Sequence, residues 1–379
     1  MANKEDPRHS GAEAPGWPFD MGSRTRCLGE TVVYILHTQA WFIGVNLIYL
    51  AGALISSKVF GQTLRFGMYG NVQLAFFLNL AVVSIVCRVG WTLIREWPAR
   101  PLRPVWEDLV GRFAIGKRLA AAVPALVLLP LTLSAYTSMK TMIPTIAPFD
   151  WDVRLAAVDT YVHGGTAPWT LLQPFLGAPA VTGWIDWAYG PLWFWLLLIL
   201  QFWQTFSLHA ERMRFLLTFI LSWALLGTVM AVVFSSAGPV YYGAVVAGPD
   251  PYAPLLAHLN TVAESVPILA LLAQAELWRN FIIGDVTLAA GISAMPSMHL
   301  SMGTLLVLAT WRLGTIARVL SCLYLIVLLI GSVYLAWHYA VDGYAAIVGT
   351  WAIWWLVGHA LDWRIGARHG TKTIATKRP

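Results

Sequence analysis

Charge is what this sequence has least of. Only 12% of its 379 residues are Asp, Glu, Lys or Arg, about half the share usual in a soluble globular chain. Hydrophobic residues make up 58% and the mean hydropathy is +0.64, which together exclude an ordinary soluble domain. Cysteine is scarce as well. Cys27, Cys87 and Cys322 are odd in number, scattered and without metal-type spacing, so neither a disulfide framework nor a zinc site is implied. The first thirty residues lack the apolar stretch of a signal peptide and read as a mobile tail, with the first helix acting as its own insertion signal. No internal repeat of the transporter type is visible. The net charge of +6 is therefore read through membrane topology, and no nucleic-acid partner is expected.

What the chain does have is long uninterrupted apolar runs, the pattern expected when the solvent is lipid. Eight such spans stand at roughly 31–55, 73–94, 119–139, 184–207, 215–236, 297–315, 318–337 and 339–361, each near the ~20 residues that cross a bilayer core. The expected fold is all-α, a polytopic membrane protein of about eight transmembrane helices. Twenty Trp and thirteen Tyr suit interfacial belts. The chain divides into a tail (1–30), a two-helix addition (31–95), a basic linker (96–118), a six-helix core (119–361) and a basic tail (362–379). With eight spans, the basic clusters at Arg24–Arg26, Arg95–Arg118, Arg212–Arg214, Arg312–Arg318 and Arg364–Arg378 all fall on one side. Both termini are then cytoplasmic. Two long connections, about 140–183 and 237–296, face the other side and suit a cap or a cavity lining.

Two short stretches carry the chemistry: Ser293-Ala-Met-Pro-Ser-Met-His299 and Trp337-His-Tyr-Ala-Val-Asp342. His299 falls at the non-cytoplasmic mouth of the sixth span and His338 at the same end of the seventh. A hairpin turning at Arg312–Arg318 allows them to meet. Asp342 follows His338 by four residues, one helical turn on, within reach of an imidazole nitrogen. A carboxylate there fixes the tautomer and supports the cationic ring that forms when the other nitrogen acts as nucleophile or base. Pro296 in a first helical turn, with the Ser297 hydroxyl and the free N–H groups of that turn, makes an anion site. Ionisable groups at membrane depth are costly and read as functional.

These residues resemble the signatures of the type 2 phosphatidic acid phosphatase superfamily. Pro296-Ser-Met-His299 is similar to its second motif, Pro-Ser-Gly-His. His338-Tyr-Ala-Val-Asp342 is similar to its third, and Lys140 through Ala147-Pro148 aligns with its first. The resemblance covers about 119–361 and makes that stretch a six-helix core of the phosphatase type. Within it, the branch of the inositol phosphorylceramide synthases and their bacterial relatives is nearer. That nearness rests on Lys140-Thr-Met-Ile-Pro144, Pro148-Phe-Asp-Trp-Asp152, Leu155 to Asp159, His163-Gly-Gly165 and Ser236-Ala-Gly-Pro239. The resemblance implies His338 as nucleophile or base, Asp342 as its orienting partner, His299 as the acid for the leaving oxygen, and no metal or other cofactor. It also implies membrane lipids as partners, a phospholipid donor and a lipid or polyol alcohol acceptor. The expected location is a bacterial cytoplasmic membrane, with the site facing the periplasm or exterior.

Both signature arginines are absent, Ala147 standing in place of one and Ser332 in place of the other. A phosphate monoester carries close to two negative charges and wants several guanidinium clamps. A diester carries one, so the loss favours transfer of a phospho-head-group over monoester hydrolysis. Lys140 and Arg154 are the remaining candidate cations, with Ser297 and Ser332 as further phosphate contacts. Asp150, Asp152 and Asp159 are candidate head-group contacts, weighed against the solvated surface that acidic loop residues usually form. A lipid phosphate or diphosphate phosphatase is the alternative, reached if Arg154 or Arg279 folds in. A non-catalytic binding or transport protein on the same scaffold is a third reading.

Overall fold

In lipid every backbone N–H and C=O must be satisfied within the chain, so apolar runs of this length fold as helices. The computed structural model describes residues 26–96 and 102–375, and helices dominate it. In chain order they are α1 (Arg26–Val59), α2 (Gly70–Glu96), α3 (Leu102–Glu107), α4 (Ile115–Ile146), α5 (Asp152–Val162), α6 (Pro168–Leu176), α7 (Pro179–Trp187), α8 (Trp193–Phe206), α9 (Arg212–Leu221) and the single turns α10 (Ala231–Val233) and α11 (Tyr242–Val245). Then come α12 (Ala253–Ala263), α13 (Leu269–Ile283), α14 (Met298–Thr310), α15 (Thr315–Tyr334) and α16 (Ala340–Ala375). Short π-helical stretches at Ala188–Leu192 and Ser222–Met230 join α7 to α8 and α9 to α10. Of the expected N-terminal tail, 1–25 lie outside the described residues and 26–30 begin α1. The expected C-terminal tail is helical to Ala375, with 376–379 outside the described residues.

Among the described residues, seven helices are long and apolar enough to cross a membrane. The expected sixth span differs. Instead of running through 297–315 it is the 13-residue helix α14, about 20 Å long against a hydrocarbon core of about 30 Å. The rest of the depth is supplied by the non-helical segment 285–297, in which Ala290, Ile292, Ala294, Met295 and Ser297 are buried. Irregular backbone at that depth is tolerated only where protein or a cavity surrounds it. Here α14 is packed among α15, α16, α8 and α9.

The α1–α2 pair packs onto this bundle through α4, α8 and α9. Polar clasps fix it: Thr132 Oγ1 donates to Asn46 Oδ1 at 2.7 Å, Gln39 Nε2 to the Ala121 carbonyl at 3.0 Å, and the Tyr49 and Thr228 hydroxyls meet at 2.8 Å. Such groups hold helices together where the hydrophobic effect supplies no preference between lipid and protein. The outer face of α2, with Leu74, Leu78, Val82, Val83 and Val86 exposed, is the face an apolar solvent would wet. Arg88, the charge inside the second span, reaches the linker and holds Asp108 with Nε and Nη2, at 2.6 and 2.8 Å.

At the opposite end of the bundle, α5, α6, α12 and α13 form a cap. The Asp186 carboxylate accepts the Leu269 and Ala270 N–H groups at 2.6 and 2.8 Å, which ties the start of α13 to α7. That carboxylate satisfies two donors the helix terminus leaves free.

Candidate active site

His338 does not lie on a helix. α15 ends at Tyr334 and α16 begins at Ala340, and the chain reverses between them through Ala336 at φ +59°. The Ser332 carbonyl accepts both Trp337 N and His338 N at 3.0 Å, closing the turn. Asp342 is in the first turn of α16 and brings Oδ2 to 3.5 Å from His338 Nδ1. The pair therefore meets through a tight turn and not, as the four-residue spacing suggested, as neighbours on one helix.

The hydrogen bond that orients the ring comes from elsewhere. His338 Nδ1 lies 2.7 Å from the Ala294 carbonyl. A carbonyl only accepts, so Nδ1 carries the proton and Nε2 keeps its lone pair. The Asp342 carboxylate stands behind, its Oδ2 accepting Tyr339 N at 3.0 Å and its Oδ1 buried without a hydrogen-bond partner. Its contribution to His338 is charge, whereas the tautomer is set by backbone of the 293–299 stretch.

That stretch is itself anchored. Ala294 N donates to the Ser236 carbonyl at 2.9 Å, Met295 N to Ser236 Oγ at 3.2 Å, and Ser297 N to the Asp342 carbonyl at 3.2 Å. Gly291, at φ +92°, lies so close to α4 that a Cβ would stand 2.9 Å from the Lys140 backbone; only glycine fits such a contact. Pro296 follows a cis bond and precedes the N-cap Ser297, so it sits just outside the first turn of α14 where the sequence suggested it would be inside. The Ser297 hydroxyl makes no capping bond and is fully buried without a partner. His299 is in the first turn of α14, its ring stacked on Tyr189 at 4.3 Å and against Trp193 at 4.1 Å.

His299, His338 and Lys140 border one cavity of about 580 Å³, together with Pro296, Ser293 and Trp337. Among the described residues no carboxylate pairs with Lys140, which is the single Lys or Arg side chain on the wall. Asp186 and Glu276 also reach the wall, the first bonded to the start of α13 and the second paired with Arg279 at 2.9 Å.

Other sequence candidates are placed differently. Arg154 is exposed and lies over the Trp151 ring at 5.0 Å, away from the cavity. Ser332 is fully buried, its hydroxyl bonded to the Leu329 carbonyl at 2.8 Å, so it closes a turn instead of contacting phosphate. Asp150 is exposed and outside the wall. Asp152 is buried and accepts Ala237 N, Gly238 N and Tyr339 Oη, each at 2.8 Å. It clamps the 236–239 segment to the residue beside His338 and is spent as a structural acceptor. Asp159 accepts Val341 N at 3.1 Å, and burial pushes its carboxyl up from the ordinary range while the Ala340 and Val341 N–H groups pull it back. His163 donates from Nδ1 to the Asp159 carbonyl at 2.6 Å and accepts from Tyr344 Oη at 3.0 Å, a structural role. Among the described residues no group of three or more His, Cys, Asp or Glu side chains is arranged to hold a metal ion.

Sequence reasoning missed the Ala294 carbonyl and the aromatic bracket around His299. It also missed the part played by residues before α4. Tyr69, just ahead of α2, joins the cavity wall, with its hydroxyl 2.9 Å from Thr137 Oγ1 and accepting Ala289 N at 3.3 Å. Arg65 donates to the Val286 carbonyl at 2.7 Å and to Asp285 at 3.2 Å. The α1–α2 connection thus holds the segment leading into the histidine stretch.

No curated protein and no solved structure matches the chain. The family model of the PAP2 superfamily matches residues 153–356, from α5 to α16 and more than half of the sequence. It takes in both histidines and Asp342, and a phosphatase-type, lipid-related enzyme is what that membership supports. The chain belongs to the PAP2 superfamily.

Proposed function

We propose that this protein is an integral membrane lipid phosphotransferase, similar to the inositolphosphotransferase branch of the superfamily, that moves a phospho-head-group from a phospholipid donor to an alcohol. The observation that carries this is the charge of the cavity wall. Lys140 is its single Lys or Arg side chain; Ala147 and Ser332 replace the signature arginines, Arg154 turns onto Trp151 and Arg279 pairs with Glu276. A dianionic monoester would be poorly neutralised there, whereas a monoanionic diester is matched by one ammonium and the free N–H groups at the start of α14.

In this reading His338 Nε2 attacks phosphorus while Nδ1–H stays on the Ala294 carbonyl, and Asp342 stabilises the cationic ring. The P–O bond to the departing alcohol breaks and His299 gives that oxygen its proton. An acceptor alcohol then attacks phosphorus, the P–N bond breaks, and His299 takes the alcohol's proton. Tyr189 and Trp193 hold the His299 ring for both transfers. Counting α14 with its preceding segment as one crossing gives eight passes. The positive-inside rule then puts both termini in the cytoplasm and the site on the exterior or periplasmic side.

Purified protein given labelled phosphatidylinositol and a lipid alcohol should form a new phospholipid, and phosphatidate in water should release little phosphate. Free phosphate as the main product would replace this reading with a lipid phosphate phosphatase. Turnover of every lipid phosphate unchanged in His338→Ala would point instead to a non-catalytic membrane protein.

A further inference from the structure

The cavity extends past the histidines into an apolar limb between α2, α4, α8 and the Ser222–Met230 stretch, lined by Leu133, Leu197, Leu198 and Phe219. Three polar side chains interrupt that lining: Gln73 of α2, Gln201 of α8 and Trp223. They are 5%, 2% and 8% exposed. Gln73 Nε2 and Oε1, Gln201 Nε2 and Trp223 Nε1 are all buried without a hydrogen-bond partner. Unmet polar groups in an apolar wall are costly, and natural chains retain few of them without a reason.

Their depth is shared. Trp193, against the His299 ring, opens α8, and Gln201 lies eight residues further, about 12 Å along the axis. Its side chain leans back toward the helix N-terminus and shortens that gap. Trp223 packs on Tyr136 at 4.6 Å, and Tyr136 is one turn inward of Lys140 on α4. Gln73 follows by one turn Tyr69, whose N–H and hydroxyl are held by Ser134 and Thr137 of α4, three to six residues inward of Lys140. The three groups therefore form a belt one to two helical turns below the phosphate level.

The belt presents three donor nitrogens and one carbonyl. Trp223 can only donate, and Gln73 has both ends free, so exchanging its oxygen and nitrogen changes nothing. The complement is a group rich in carbonyl oxygen. A bare alkyl chain offers no acceptor and an alkyl ether a poor one, whereas acyl carbonyls lie a few bonds beyond the phosphate in both ester- and amide-linked lipids. We propose that Gln73, Gln201 and Trp223 are a second binding element that holds the acyl carbonyls of the lipid whose phosphate sits at the histidines. This rests on the lipid-phosphate reading of the site but not on any transfer step. It also gives α2, which precedes the family match, a direct part in choosing the substrate.

The test is binding without turnover. The full chain in detergent, with no acceptor alcohol, is offered dipalmitoyl phosphatidylinositol, its di-O-hexadecyl ether analogue and the inositol phosphodiester of a ceramide, with occupancy read by native mass spectrometry. An acyl lipid, ester or amide, should bind roughly threefold to tenfold more tightly than the ether, the worth of one neutral hydrogen bond or slightly more. Which acyl form leads identifies the linkage. Gln73→Leu, Gln201→Leu and Trp223→Phe should each narrow that preference with no fall in melting temperature, since an apolar replacement of an unpaired buried group is neutral or stabilising. Equal binding of ether and acyl lipids by the wild type overturns the proposal. So does a variant that loses all three lipids alike or melts earlier, because the residue is then structural. Failure of phosphotransfer alone, with the acyl preference intact, would remove the transferase reading and leave this one standing.

Discussion

Asp342→Asn isolates charge from orientation at His338. In many histidine sites one carboxylate does both jobs, and its loss also lets the ring adopt the wrong tautomer. Here the Ala294 carbonyl accepts from Nδ1 at 2.7 Å, so the ring keeps its tautomer in the variant. Asparagine can still accept Tyr339 N, the bond Asp342 Oδ2 makes at 3.0 Å. What disappears is a negative charge 3.5 Å from Nδ1. With an effective dielectric near 20, a full imidazolium–carboxylate pair at that separation is worth about 5 kcal/mol. If only half the cationic charge has developed at the transition state, about 2.4 kcal/mol is lost. The expected fall in kcat is thus roughly 50-fold to 3,000-fold, with KM nearly unchanged because the ground-state lipid does not touch Asp342. The assay is steady-state turnover of the lipid phosphate that the wild type accepts, with circular dichroism melting as the folding control. A loss below about threefold in a folded variant would refute the electrostatic role. A raised KM at constant kcat would refute the assignment of the charge to the transition state.

Lys140→Met should keep or raise thermal stability, because a cavity-facing cation without a carboxylate partner is removed, while kcat/KM falls by roughly 10-fold to 150-fold, the worth of one charge-assisted contact to phosphate. Unchanged kinetics would take Lys140 out of the site. Asp152→Asn turns an acceptor of three donors, Ala237 N, Gly238 N and Tyr339 Oη, into a group with one carbonyl. A loss of about 2–4 kcal/mol in denaturant unfolding is expected, and a variant as stable as wild type would show that the clamp is slack. Arg88 holds the Asp108 carboxyl below its ordinary range. A depressed folded value means that the stabilisation is full above about pH 4 and is lost as pH falls through the lower folded value. Hydrogen exchange over 102–112 should therefore quicken only below that point, and an Asp108→Asn variant should show fast exchange already at neutral pH.

The division between what was legible and what was not follows the range of the interactions. Apolar runs specify helices locally, because lipid gives the backbone no other partner, so the all-helical membrane fold could be read from composition and pattern. The superfamily could be read from Pro296–His299 and His338–Asp342, since those motifs are short and contiguous. The length of α14 was not legible. The apolar run after Ser297 continues past Thr310, and only the packing of α14 among four neighbouring helices goes with a helix that stops there and leaves the buried stretch before it irregular. The fates of the acidic residues were equally hidden: Asp150 and Asp152 are two positions apart, yet one is exposed and the other is buried and committed to Ala237 N, Gly238 N and Tyr339 Oη.

The sequence by itself therefore determined the helical membrane fold and the family and marked His299, His338 and Asp342 as candidates, because each is written within local stretches of the chain. Tertiary structure decided which groups reach them. The Ala294 carbonyl on His338, the Tyr189–Trp193 bracket on His299, the turning away of Arg154 and the entry of α2 into the cavity all join residues far apart in the chain. No local pattern encodes such contacts, since they exist only once the helices have packed and fixed how far each side chain can reach.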